Sequence, residues 1–225
     1  MQDENILVWL PSPMGDAILC TPALRAIRRH FKSSKISFLA RPVVRRILSP
    51  GSFNDNWLEL QNKNVFTPAK MLRSRKFTRA ILFKNSFGSA LMVFLPGIPQ
   101  RTGYAREGRG IFLTDKLYPP RLPDGRFKPV SMVDYYLEIA KHLGAETSDR
   151  KLELSVDPQD KQTLLSKLPE IAGGRPLVIM VPGGAFGPSK FWPAERFAQT
   201  SDWLVADYNA AVVICAASNT VEKKI

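Results

Sequence analysis

The chain has 225 residues, 44% of them hydrophobic, which is enough to bury one large core or two smaller ones. Lys and Arg number 32 against 20 Asp and Glu, a formal net charge of +12 that points to an acidic partner: nucleic acid, an anionic membrane or a phosphorylated substrate. Only two cysteines (Cys20, Cys215) and two histidines (His30, His142) are present and none are spaced as metal ligands, which excludes a disulfide framework and a metal knuckle and points to a reducing compartment.

The amino end, MQDENILVWL, carries acids where a leader peptide needs bases. No apolar run reaches the roughly 18 residues of a membrane span, so a cytoplasmic protein is expected. Short β-rich runs follow at 5–10 (NILVWL), 35–40 (KISFLA), 56–60 (NWLEL) and 79–84 (RAILFK), with helix-like patterns or loops between them. That alternation predicts βα units and a parallel sheet. In the first helix Ala17, Cys20, Leu24, Ile27 and Phe31 form an apolar stripe, leaving Arg25, Arg28, Arg29 and Lys32 to solvated faces. Pro22 predicts a kink, or a restart with Thr21 as cap.

The turn "PSPMGDA" between the first strand and this helix contains Asp16. Two readings of that residue are open: an acid suited to the helix start, or a carboxylate in the crevice at the carboxyl end of a strand, where ligands bind and a proton can be taken. A helix N-terminus is expected to lower its pKa.

The run ALMVFLPGI (90–98) is broken by Pro96 and Gly97 and is expected to be a buried helix end rather than a membrane contact. From 96 to about 130 the chain is turn-rich and basic, which reads as a disordered connector or a binding loop. Ser131, with Asp134 three residues on, then opens a helix with Met132, Tyr136, Ile139 and Leu143 along one face, and it stops at Gly144.

A polar helix is expected at 157–168, and the domain boundary after it, giving domains 1–170 and 171–225. The opening pattern then restarts: strand LVIMVP, a Gly-rich turn GGAFGPSKFW, a helix with Pro193 at its first position and Phe197, Ser201 and Leu204 on one face, and strand AAVVICA at 210–216. In that turn Gly183, Gly184 and Gly187 let the backbone approach a ligand, and Lys190 stands just before the helix, a combination suited to a diphosphate. A Gly-rich connector with a surface lysine reads equally well. Neither the Walker nor the dinucleotide fingerprint is present.

Taken together, "ILVWLPSPMGDAILCTPALRAIRRHF", "FLARP", "AILFKNSFGSALMVFLPGIPQRTGYAREGRGIFLTD", "SMVDYYLEIAKHLG" and "VPGGAFGPSKFWPAERFA" resemble the ADP-heptose:lipopolysaccharide heptosyltransferases of glycosyltransferase family 9, most closely the heptosyltransferase II branch. The resemblance implies a GT-B fold, α/β with two Rossmann-like domains, the amino-terminal one for the acceptor and the second, here apparently truncated, for the nucleotide sugar. It implies inverting transfer from ADP-heptose, without cofactor or metal ion, to a lipid A-linked inner-core acceptor at the cytoplasmic membrane surface, and no nucleic-acid partner.

Asp16 is then the general base, and Gly183, Gly184, Ala185, Phe186, Gly187 and Lys190 hold the donor diphosphate. Ser12, Met14, Gly15, Asn85, Ser86, Arg41 and Arg106 are acceptor-side candidates, with Arg45, Arg46, Arg101 and Arg109 as further anion-binding arginines. Lys84 departs from the pattern, which has an apolar residue or proline before Asn85. A catalytically inactive fragment, or a binding protein for lipopolysaccharide precursors, stays open as the alternative.

Overall fold

A computed structural model describes residues 4–60, 66–183 and 192–216. The chain divides into two compact units, Met1–Ser155 and Val156–Ile225. The division falls before the polar helix, not after it at the expected 170/171. That helix buries none of its residues.

Unit 1 is built on a six-stranded, all-parallel sheet in the order β3-β2-β1-β4-β5-β6. Its strands are β1 (Asn5–Trp9), β2 (Lys35–Ala40), β3 (Asn56–Glu59), β4 (Arg79–Leu82), β5 (Gln100–Tyr104) and β6 (Asp115–Leu117). β1 is central, and Trp9 lies level with Leu39 of β2 and Leu82 of β4.

Both faces of the sheet are covered, which explains why β1 reads as an unbroken apolar run. Ile6, Val8 and Leu10 belong to one core, with helices α1 (Met14–Leu19), α2 (Thr21–His30), α3 (Pro42–Leu48) and α6 (Met132–His142). Leu7 and Trp9 belong to the other, with α4 (Phe66–Ser74) and α5 (Phe87–Phe94).

The expected first helix is two. α2 restarts with Pro22 in its first turn, but Cys20, not Thr21, is the cap, and the Thr21 hydroxyl donates back to Ile18 O. The stripe Ala17, Cys20, Leu24, Ile27, Phe31 is buried as expected. The basic face is not merely solvated. Arg25, 12% exposed, holds segment 149–153 through Glu153 and Asp149 and the Lys151 carbonyl. Arg28 donates to the carbonyls of Phe31, Lys32 and Ser34 and pairs with Asp55 at 2.9 Å.

The stretch after residue 96 is not a structureless connector, because it supplies β5, a 3₁₀ turn at Arg109–Phe112 and β6. The run 90–98 is buried only in part: Ala90, Met92, Val93 and Ile98 are inside, whereas Phe94 and Leu95 are exposed. Ser131 precedes α6 without a side-chain capping bond, since Asp134 binds Arg150 instead. Gly144, at φ +86°, ends that helix.

Unit 2 contains α7 (Pro158–Lys167), β7 (Leu177–Met180), α8 (Ala194–Tyr208) and β8 (Ala211–Ile214), with β7 and β8 parallel. Phe197, Ser201 and Leu204 are partly covered, as are Ala194 and Thr200 of the same helix. Leu177, Ile179 and Ile214 of the two-stranded sheet are exposed. A sheet so thinly covered opens more readily than one with two packed faces. Amide hydrogens of β7 and β8 are therefore expected to exchange much faster than those of β1 and β4, as measured by mass spectrometry; equal protection in both sheets would contradict this.

Candidate functional site

β1 is the point at which the strand order of unit 1 reverses: the chain proceeds outward through β2 and β3, then returns to the other side of β1 with β4. The connections leaving the carboxyl ends of β1 and β4 diverge there, and ligands of open α/β sheets bind in the crevice so formed. Ser12, Met14, Gly15 and Asp16 follow β1, Arg41 follows β2, Asn85 and Ser86 follow β4, and Arg106 and Arg109 follow β5. Six of the seven acceptor-side candidates thus flank the reversal point, with Arg106 one strand further out.

Asp16 is the third residue of α1, in its first turn. Among the described residues its carboxylate has no hydrogen-bond or ion-pair partner, and partial burial raises its pKa above the ordinary 3.8. The expected lowering by the helix start is reversed: α1 has six residues and a short dipole, so desolvation prevails. Burial pushes the phenol of Tyr136 and the thiol of Cys20 upward, and the charge of Asp16 adds to both. Gly15 is exposed, and a Cβ there would meet no atom within 4 Å, so the space above this turn is open.

Ser86 caps α5 in a reciprocal capping box with Ser89. Asn85 is locked differently. Its Oδ1 accepts from Arg109 Nη2 at 2.9 Å, and its Nδ2 donates to the Tyr135 hydroxyl at 2.8 Å. Tyr135 stacks on Tyr104 with ring centroids 4.0 Å apart, and the Tyr104 hydroxyl donates to the Tyr135 carbonyl. The two tyrosines, with Asp134 and Glu138, also wall a cavity of about 330 Å³.

Arg109 is not the surface anion binder expected, because it is 0% exposed. Its Nε donates to Tyr104 O at 2.7 Å, and Nη1 to the Lys84 carbonyl and Ser89 Oγ. No carboxylate bonds to it among the described residues, and burial brings its pKa down to about 10. Arg101 is also excluded from the site: it lies near the amino end of β5 and donates to the carbonyls of Ile98, Pro99 and Phe112. Arg45 pairs with Glu59 at 2.6 Å, whereas Arg41 and Arg46 are exposed.

Arg106 stacks over Phe127 at 4.7 Å, and its buried Nε has no hydrogen-bond partner among the described residues. Sequence reasoning missed Tyr104 and Tyr135. The adjacent pair Tyr135–Tyr136 on an otherwise aliphatic helix face was the available signal. In unit 2, Gly183 follows β7; Gly184, Ala185, Phe186, Gly187 and Lys190 lie outside the described residues. Among the described residues no cluster of His, Cys, Asp or Glu could hold a metal ion, and no helix is long and apolar enough to cross a membrane.

Comparison with known proteins places this geometry in context. The family model described as glycosyltransferase family 9 (heptosyltransferase) matches residues 65–225. Lipopolysaccharide heptosyltransferase 2 of Escherichia coli (strain K12) is 28% identical over 97% of this chain and 69% of its own length. The protein of the same name from Salmonella typhimurium is 28% identical over 96% of this chain, which spans 64% of it. Among solved structures, E. coli ADP-heptose lps heptosyltransferase II superimposes with a TM-score of 0.75 at 26% identity, over 93% of this chain and 63% of that one. A glycosyl transferase family 9 protein from Veillonella parvula shares the fold with a TM-score of 0.78 at 20% identity, over 94% and 62% of the two chains.

The raised pKa of Asp16 has a consequence for stability. A carboxyl that holds its proton more tightly in the folded state favours folding below its unfolded pKa, and that contribution is lost as pH rises through the folded value. Asp16→Asn is therefore expected to raise the denaturation midpoint at neutral pH, with the gain disappearing near pH 3. An unchanged or lowered midpoint at neutral pH would show that the carboxylate is not desolvated.

Proposed function

Because the chain belongs to glycosyltransferase family 9, the heptosyltransferases, we propose that it takes part in transferring heptose from ADP-heptose to the inner core of lipopolysaccharide, with heptosyl-Kdo2-lipid A as acceptor. The observation that carries this reading is Asp16, an unpartnered carboxylate of raised pKa at the carboxyl end of the central strand, where the sheet reverses direction. The names of the two similar heptosyltransferases support the choice of donor and acceptor.

In this mechanism the acceptor hydroxyl attacks the anomeric carbon of heptose while Asp16 takes its proton. The bond from that carbon to the β-phosphate oxygen breaks with its electrons, ADP departs, and the anomeric configuration inverts. A general base works best when its pKa approaches the working pH, so the burial that destabilises ionised Asp16 improves it as a proton acceptor. Ser12, Met14 and the open space over Gly15 receive the acceptor beside it, and Asn85 and Ser86 bound the other side.

The turn Gly183–Lys190 receives the diphosphate. Its glycines bring backbone N–H groups to the phosphates, and the Lys190 ammonium offsets the charge that accumulates on ADP. No metal ion enters this scheme. The acceptor is reached at the membrane surface, a reading supported by the exposed Phe87 and Phe94, which sandwich Phe112 at centroid distances of 5.1 and 5.2 Å next to the Ser86 cap.

Asp16→Asn is expected to lower turnover by roughly 100-fold or more, the scale of a lost general base, with ADP affinity unchanged. The measurement is transfer from ADP-heptose to heptosyl-Kdo2-lipid A. Normal turnover by this variant would reduce Asp16 to a helix-start acid.

Lys190→Ala is expected to weaken ADP binding by about 1–3 kcal/mol in calorimetry, the range of a charge-assisted hydrogen bond, and to leave binding of an acceptor analogue unaltered. Equal losses for both ligands would indicate a structural role.

A further inference from the structure

Two cations at the carboxyl edge of the sheet have no acidic partner among the described residues. Arg41 lies two positions beyond Leu39 and Lys84 two beyond Leu82, and both of those leucines are level with Trp9. Arg41 and Lys84 therefore leave the strands on either side of β1 at the same height. The Lys84 ammonium lies 5.7 Å from the Trp9 ring centroid, and burial and the charge of Arg41 both push its pKa down.

Other cations of unit 1 are bonded within it: Arg101 and Arg109 donate to carbonyls. Arg25, Arg28 and Arg79 each reach a carboxylate at 2.7 to 2.9 Å. Two like charges brought together without a counter-ion repel each other, and an anion seated between them removes that cost. Lys84 also replaces the apolar residue or proline that the family resemblance leads one to expect, so its charge is a property of this chain.

We propose that Arg41 and Lys84 together bind a phosphate monoester carried by the sugar acceptor, and so select acceptors that bear one. This rests on the assignment of unit 1 to the acceptor. A dianion suits two cations better than a carboxylate does. The guanidinium offers a fork to two phosphate oxygens, and the ammonium a point charge to the third. The Trp9 ring fixes the position of that ammonium and excludes water from one side of it.

The test uses the chain alone, titrated with mannose 6-phosphate, glucuronate or mannose while the Trp9 indole N–H signal is followed by NMR at fixed ionic strength. Mannose 6-phosphate is expected to shift that signal saturably, with glucuronate weaker and mannose without effect. Lys84→Leu and Arg41→Gln should each weaken mannose 6-phosphate binding by about tenfold or more, and Lys32→Gln should leave it unchanged.

The same spectra report whether each variant is folded. Absence of a saturable shift, or equal binding by Lys84→Leu, overturns the proposal. Glucuronate binding as tightly as the phosphate overturns the assignment to a phosphate. None of these titrations contains donor, so a negative result leaves the transfer reaction to be decided separately by the Asp16 variant.

Discussion

Every connection in unit 1 is arranged around one constraint: β1 is paired on both edges, to β2 on one side and β4 on the other, in parallel. A parallel neighbour requires a crossover, and right-handed crossovers to opposite sides of β1 must cover opposite faces of the sheet. Hence α1, α2 and α3 pack on one face and α4 and α5 on the other. The chain segments leaving β1 and β4 then part company at the carboxyl edge. Asp16, Lys84 and Asn85 come from those two segments. Residues nearly 70 positions apart in sequence are thus brought to one place by strand order alone.

Arg109 reinforces that place from beneath. Burying a guanidinium without a counter-ion is unfavourable, and four neutral acceptors from β4, α5 and the end of β5 offset the cost. The chain is prepared for it. Glu107 and Gly108 adopt positive φ in succession and turn the backbone so that Arg109 re-enters the sheet. A side chain at Gly103 would come within 3.1 Å of both Arg109 Nη2 and Leu82 Cβ, so glycine there leaves room for the guanidinium. The outcome is an Asn85 with a fixed orientation: its oxygen faces Arg109 and its amide donates to Tyr135. The Tyr135 hydroxyl is left with its own proton to give. Arg109 thereby sets the polarity of the Arg109–Asn85–Tyr135 chain of hydrogen bonds.

Strands β1 to β4 were legible because each is an apolar run between polar turns, and the restart at Pro22 because proline cannot lie inside a helix. β5 and β6 were not. Gln100–Tyr104 holds one large apolar side chain, its Gly103 leaves room for Arg109, and Asp115–Leu117 spans only three residues. Their pairing depends on the neighbouring strand, which a local reading cannot supply. The same limit hid the roles of the arginines. Arg25, Arg28, Arg101 and Arg109 look alike in sequence, yet each is bound to carbonyls or carboxylates inside unit 1. Asp16 was located correctly at the end of the first strand, but the sign of its pKa shift was not, since burial of one turn is a tertiary property.

The distribution of charge bears on whether the proposed anion site and the proposed base are compatible at one sheet edge. A carboxylate surrounded by cations would be held in its ionised form and lose its affinity for a proton. Asp16 avoids this because α1 packs on the face of Ile6 and Val8, whereas Lys84 rests on Trp9, which belongs to the other face. Burial raises the pKa of Asp16, whereas burial and the charge of Arg41 lower that of Lys84. α1 packs against one core and Lys84 against Trp9 of the other, although both stand at the carboxyl end of β1. Unpartnered charge of one sign on one face can receive an anion, while an isolated carboxylate on the other retains the capacity to accept a proton. The net charge of +12 carries no trace of this division, because so many of the cations that contribute to it are bonded within unit 1.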